Sequence, residues 1–341
     1  MTIALSVAAP SSGWLRNAQF DLNFIVGTTV LAVVTGAIVV SEPRLFAPIL
    51  LLDLWLLGQH HVVSTYSRLC FTKEDRARHR FLLYGLPPIV LLMTFGAASV
   101  AGIWIIGTIY FYWQWFHYTR QSWGISQIYR RNSNLSGESE LVTKLAFYLP
   151  PLWGILHRSW QSPEQFLGMA FKTLPVPGML VDLVGLCAIA ALSWWVVLRY
   201  QTWRRGETVL AHNLYIASHH TIFFIGYQLV EDVTYGWLFL NIWHNAQYIL
   251  FVWMFNNKCY KNQVDQTAPG WSTLCQSKNL WRYLLVSFGI ATVFYVALRG
   301  VDVLAISAGF VGVPILLLLY QTINFHHYIV DTVIWRRKAR S

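Results

Sequence analysis

The sequence predicts an all-α, polytopic membrane helix bundle of about ten transmembrane helices, with N- and C-termini cytoplasmic. Three observations predict it. The composition is 55% hydrophobic and only 12% charged, roughly half the charged fraction usual in soluble domains, and the mean hydropathy is +0.44. Apolar runs of the roughly 20 residues that a bilayer requires recur along the chain. The basic residues collect in alternate connections between those runs, as the positive-inside rule demands.

In chain order the predicted spans are 19–41, 45–66, 81–100, 101–120, 145–160, 178–199, 210–230, 237–257, 283–299 and 303–323. With a cytoplasmic N-terminus, the inner connections hold Arg68, Lys73, Arg76, Arg78 and Arg80, then Arg120, Arg130, Arg131 and Lys144. Arg199, Arg204 and Arg205 follow, then Lys258, Lys261, Lys278 and Arg282. Arg16 and the tail RRKAR join them, which leaves only Arg44, Arg158, Lys172 and Arg299 outside. The net charge of +10 is therefore a topology signal, and no nucleic-acid partner is implied. The expected location is an integral one, in a bacterial inner membrane.

The opening MTIALSVAAPSSGWLR lacks the basic start and long apolar run of a cleaved signal and is expected to stay attached. Cys70, Cys187, Cys259 and Cys275 show no CxxC spacing, so reduced, structurally minor thiols are expected. The chain contains no fixed-period repeat. It reads as one membrane domain, 1–341, with short cytoplasmic loops at about 67–80, 121–144, 200–209 and 258–281.

Within this apolar background the histidines do not scatter. Span two ends GQHHVVSTYSR with His60 and His61; span four ends WQWFHYTRQSWG with His117. Span seven begins AHNLYIASHHTIFF with His212, His219 and His220, span eight holds NIWHNAQYIL with His244, and the chain closes on INFHHYIVDTVIW with His326 and His327. Helical phase gathers polar residues into stripes: Asp53, His60, Ser64 and Ser67; Tyr110, Gln114, His117 and Gln121; Asn241, His244 and Tyr248. Polar stripes on apolar cylinders face inward in lipid, so they should converge. A lone intramembrane histidine most often makes one interhelical hydrogen bond, and neighbours in a doublet point about 100° apart, so one of each pair can simply pack. So many imidazoles at one depth point instead to a metal or proton-handling site, imidazole being the commonest nitrogen ligand of transition metals. Asp53, Gln114, Gln121, Asn241, Gln247 and Asp331 are candidate groups to orient the ligands. Asp331 is nearly as well explained as an ordinary interfacial residue beside Arg336 and Arg337. No HExxH and no thiolate set for structural zinc are present.

Histidine clusters at the ends of transmembrane helices resemble, as a type, the membrane-bound nonhaem diiron oxygenases: alkane monooxygenases, fatty-acid desaturases and hydroxylases. That class writes its ligands as HxxxH and HxxHH boxes. This chain offers QHH at 59–61, His117, HNLYIASHH at 212–220, His244 and FHHY at 325–328, so no residue role is carried across. The resemblance implies two nonhaem Fe ions, O2, a lipophilic substrate arriving from the bilayer, and a cytoplasmic electron donor such as a ferredoxin, a rubredoxin or a reductase. Two other classes compete: a haem or copper redox protein of the membrane, and a transporter with a proton or metal path.

Overall fold

A computed structural model describes residues 13–133, 139–207, 210–261 and 263–335. The chain is almost entirely helical, at 82%. The long helices are α1 (Ala18–Ser41), α2 (Pro43–Tyr66), α3 (Phe81–Ala101), α4 (Trp104–Asn132), α5 (Glu140–Gln161) and α6 (Gly178–Arg204). They are followed by α7 (Leu210–Phe224), α8 (Val233–Tyr260), α9 (Ser277–Ser307) and α10 (Ile315–Ile334).

Five of these, α1, α2, α3, α6 and α9, are long and apolar enough to cross a membrane. Their apolar windows are only 33, 33, 22, 22 and 17% buried, so most of their surface faces outward, which suits a lipid surround and marks the chain as a membrane protein. Of the helices that carry the polar stripes, α2 belongs to this layer and α8 lies inside it. In α8 every residue from Gly236 to Ile249 is buried, and a helix covered on all sides is a core helix. It packs against α1, α2 and the wide turn that extends α7.

Wide π-type turns interrupt several helices, at Asn23–Gly27, Leu54–Gly58, Phe81–Gly85 and Ile225–Leu229. Each inserts one residue and re-aims whatever follows. After the last of them the chain turns sharply into α8, whose start Asp232 caps by accepting from Thr234 and Tyr235. Gly226 and Gly236 touch there, and a Cβ on Gly236 would overlap the Gly226 carbonyl. The buried Arg158 closes the corner, donating to the carbonyls of Gly226 (3.0 Å), Glu231 (2.7 Å) and Val230 and to Gln161 (2.8 Å).

Several sequence expectations need correction. The last helix is Ile315–Ile334 rather than 303–323, because α9 runs on to Ser307 and the chain then breaks at Gly309 and Gly312, whose φ of 94° and 86° only glycine adopts easily. His326 and His327 consequently lie well inside a helix. The expected loop 121–144 is largely helical: α4 continues to Asn132 and α5 begins at Glu140, with 134–138 outside the described residues. Its polar residues divide between exposed ones such as Arg131, Glu140 and Lys144 and buried ones such as Ser122, Ser126 and Thr143 that face neighbouring helices. Likewise α6 reaches Arg204, with 208–209 outside the described residues, and short helices occupy Lys73–Arg78 and Pro269–Leu274. A hairpin of two short strands pairs Gln165 with Ala170 and Phe166 with Met169, a small departure from all-α. Arg158, counted as an outer topology marker, is a buried structural group. The opening residues 1–12 and the tail from Arg336, including Arg337, lie outside the described residues. All four cysteines are free, and burial pushes the thiols of Cys70 and Cys275 up.

Candidate metal centre

His61 on α2, His117 on α4, His244 on α8 and His327 on α10 meet in the interior. Their exposures are 3, 5, 2 and 1%, so all four are buried. His61 Nε2 lies 2.7 Å from His327 Nε2. Ring centroids stand 4.7 Å apart for His61 and His244, 5.0 Å for His117 and His244, and 4.9 Å for His117 and His327. One nitrogen from each of His61, His117 and His327 lies within 4.8 Å of the other two.

Why His61 rather than His60 points inward follows from the turn before it. Across an unbroken helix Asp53 and His60, seven residues apart, would share a face. The π turn Leu54–Gly58 adds a residue, so His61 takes that direction instead. Asp53 and His61 both face α8, where Asp53 accepts from Asn241 Nδ2 and His61 packs on His244. His60 turns toward α9 and bonds Ser287 Oγ at 2.6 Å.

Around the four rings runs a hydrogen-bonded cradle. Tyr248 donates to Asp331 Oδ1 at 2.6 Å, and Thr65 Oγ1 lies 2.8 Å from both Tyr248 and His327 Nδ1. With His327 donating from Nδ1 to Thr65, its Nε2 is bare and faces the cluster. The Gln121 amide lies 3.3 Å from His244 Nδ1. Tyr118 stacks on His244 at 3.9 Å, Tyr328 on His117 at 4.3 Å, and Tyr248 lies on His61 at 4.4 Å. Tyr118 also donates to Asn241 and receives from Gln114, both at 2.6 Å, which links Asp53 to the ring it covers.

The donor set fits a metal ion. His61 Nδ1, His117 Nε2, His244 Nε2 and Asp331 Oδ2 are buried with no hydrogen-bond partner, a costly condition for a polar atom in a dry interior. Asp331 Oδ2 is 4.0 Å from His117 Nε2. Imidazole and carboxylate without thiolate suit iron, zinc, copper or manganese.

The other candidate ligands stand elsewhere. His326 is satisfied by Tyr66 at 2.9 Å and the Leu82 carbonyl at 2.7 Å, the latter in the π turn that opens α3. His212 lies 3.2 Å from Ser126 and 2.8 Å from Arg199. His219 bonds Ser122 at 3.0 Å and stacks on Phe147, with His220 beside it at a ring distance of 5.2 Å. The ring neighbours of this pair are Phe147, Phe223 and Trp243. Of the orienting candidates, Gln121 and Asp331 serve the cluster directly, and Asp53, Asn241 and Gln114 through Tyr118. Gln247 instead meets Tyr215 and the Phe24 carbonyl. Sequence reasoning missed Thr65, and it named Tyr248 only as part of a stripe. A signal existed, since Thr65, Tyr248 and Asp331 each follow a clustered histidine by four residues.

A cleft of about 420 Å³ reaches the cluster from the surface, with His117, Gln121 and Asp331 at its inner end and Trp113, Phe116 and Trp335 among its walls. On the far side a void of about 20 Å³ touches His61 and His327. Comparison of the chain with family models, with curated proteins and with solved structures finds no match.

Proposed function

We propose that this chain is a membrane-embedded, metal-dependent oxidoreductase acting on a lipophilic substrate. His61, His117, His244 and His327, with Asp331, would hold nonhaem iron. The observation that carries the reading is the set of unpartnered buried ligand atoms contributed by four helices beside an aromatic cleft. Iron bound there would supply O2 activation, with electrons from a soluble donor on the cytoplasmic side. The residues would do the rest. The apolar walls exclude water from the reacting groups. Thr65, Tyr248 and Asp331 fix the tautomer of His327 and hold a proton within hydrogen-bond reach of the ligands.

Four imidazoles and one carboxylate suit one ion. A pair of ions would need further donors; His60, His212 and His326 bond other groups, and His219 and His220, which keep unpartnered nitrogens, pack against Phe147, Phe223 and Trp243. The imidazoles also pack edge to face against one another, which leaves no slot between them for a porphyrin. A transport path would spread such groups from face to face, whereas here they converge. The bundle is read as about ten spans with both termini cytoplasmic, in a bacterial inner membrane.

Metal analysis of detergent-purified protein, with its optical and paramagnetic spectra, tests the proposal. About one iron per chain without a Soret band is expected; stoichiometric haem, or zinc alone, would overturn it. Asp331→Ala should weaken iron binding about 10- to 100-fold, the usual cost of losing a carboxylate at a metal site's ligand shell. Titration of the metal-stripped variant reads this directly, and an unchanged affinity would remove Asp331 from the site.

A further inference from the structure

The cleft has a chemical polarity of its own. Along α4, His117, Gln121, Gly124, Ile128 and Arg131 are spaced by four, three, four and three residues and form one face, and all of them line the cleft. Fourteen residues separate His117 from Arg131, about 21 Å of helix at the usual rise. The whole helix, Trp104–Asn132 with 29 residues, is about 43 Å long against about 30 Å for the hydrocarbon core, so one end must stand in the interfacial region. Arg130, Arg131 and Asn132 place that end at the outer part of the cleft. Arg120, one turn beyond His117, also lines the cleft and is exposed. Besides these, the walls are aromatic, with Trp113, Trp123, Phe251 and Trp335. Buried Gln121 Oε1 and Gln127 Nε2, also in the lining, lack partners.

We infer that this cleft binds a single-chain amphiphile with an anionic head group, head toward Arg131 and apolar chain running inward to His117. Guanidinium recognises carboxylate and phosphate alike through paired N–H donors, so the shared chemistry is an anionic head on an apolar tail. This rests on the proposed metal centre only for what happens at His117; the binding itself does not require a metal.

Binding of radiolabelled palmitate to the full-length purified protein, with metal content measured on the same preparations, tests the inference. Saturable binding displaced by unlabelled palmitate or by lysophosphatidate, and not by hexadecanol, is expected; displacement by only one of the two anions would name the head group. Arg131→Glu should weaken binding by about 10-fold or more, the scale of one charge-assisted contact. A Cβ on Gly124 meets nothing within 4 Å, so Gly124→Leu should plug the cleft, abolish binding and leave fold and metal content unchanged. Equal displacement by hexadecanol, no saturable binding, or normal affinity in Gly124→Leu would each overturn the inference. Palmitate binding by a protein that holds no metal would leave it standing while removing the oxidoreductase reading.

Discussion

Alanine at His117 should reduce bound iron from about one atom per chain to less than a tenth of that, while the protein still folds and elutes as the parent does. The ring is 5% exposed and offers an unpartnered Nε2, so its removal takes away one of the few donors of the site. His61→Ala, His244→Ala and His327→Ala should act alike. The informative contrast lies within the doublets. His60 is bonded to Ser287, and His326 to Tyr66 and the Leu82 carbonyl. His60→Ala and His326→Ala should therefore keep their metal and lose only the stability of ordinary buried hydrogen bonds, about 1–3 kcal/mol. Metal retained in His117→Ala, or lost in His60→Ala, would show that the ligand set is wrong.

The second large effect concerns the fold alone. Arg158→Ala should lower stability by about 3–5 kcal/mol, because several carbonyls at the turn between α7 and α8 lose a charged donor together. That corresponds to a fall of about 4–7 °C in the apparent unfolding midpoint. Arg158 is 1% exposed and holds the Gly226, Val230 and Glu231 carbonyls, so no solvent stands ready to take its place. Arg158→Lys, a point charge without the planar fork, should recover part of the loss. Thermal unfolding in detergent measures both; a midpoint unchanged in Arg158→Ala would reduce this residue to a bystander. Metal content per folded chain should be unaffected.

Composition and the spacing of apolar runs were enough to establish a helical membrane protein, because lipid leaves the backbone few alternatives to helix and filters side chains by polarity over whole spans. They also marked His61, His117, His244 and His327 as candidates, since a polar group in lipid must find an interior partner. They could not separate these from His60, His212, His219, His220 and His326, for two reasons. Direction around a helix depends on every residue before it, and the π turn Leu54–Gly58 shifts the phase by one position just ahead of His60 and His61. Convergence depends on which helices touch: α4 presents His117 and Gln121 toward α8 and α10 but Ser122 and Ser126 toward α7, so residues adjacent in sequence serve different neighbours. Hydropathy located the helices; only packing in three dimensions chose the four rings that meet and opened the cleft beside them, because contact is a property of pairs of surfaces and not of either strand of sequence alone.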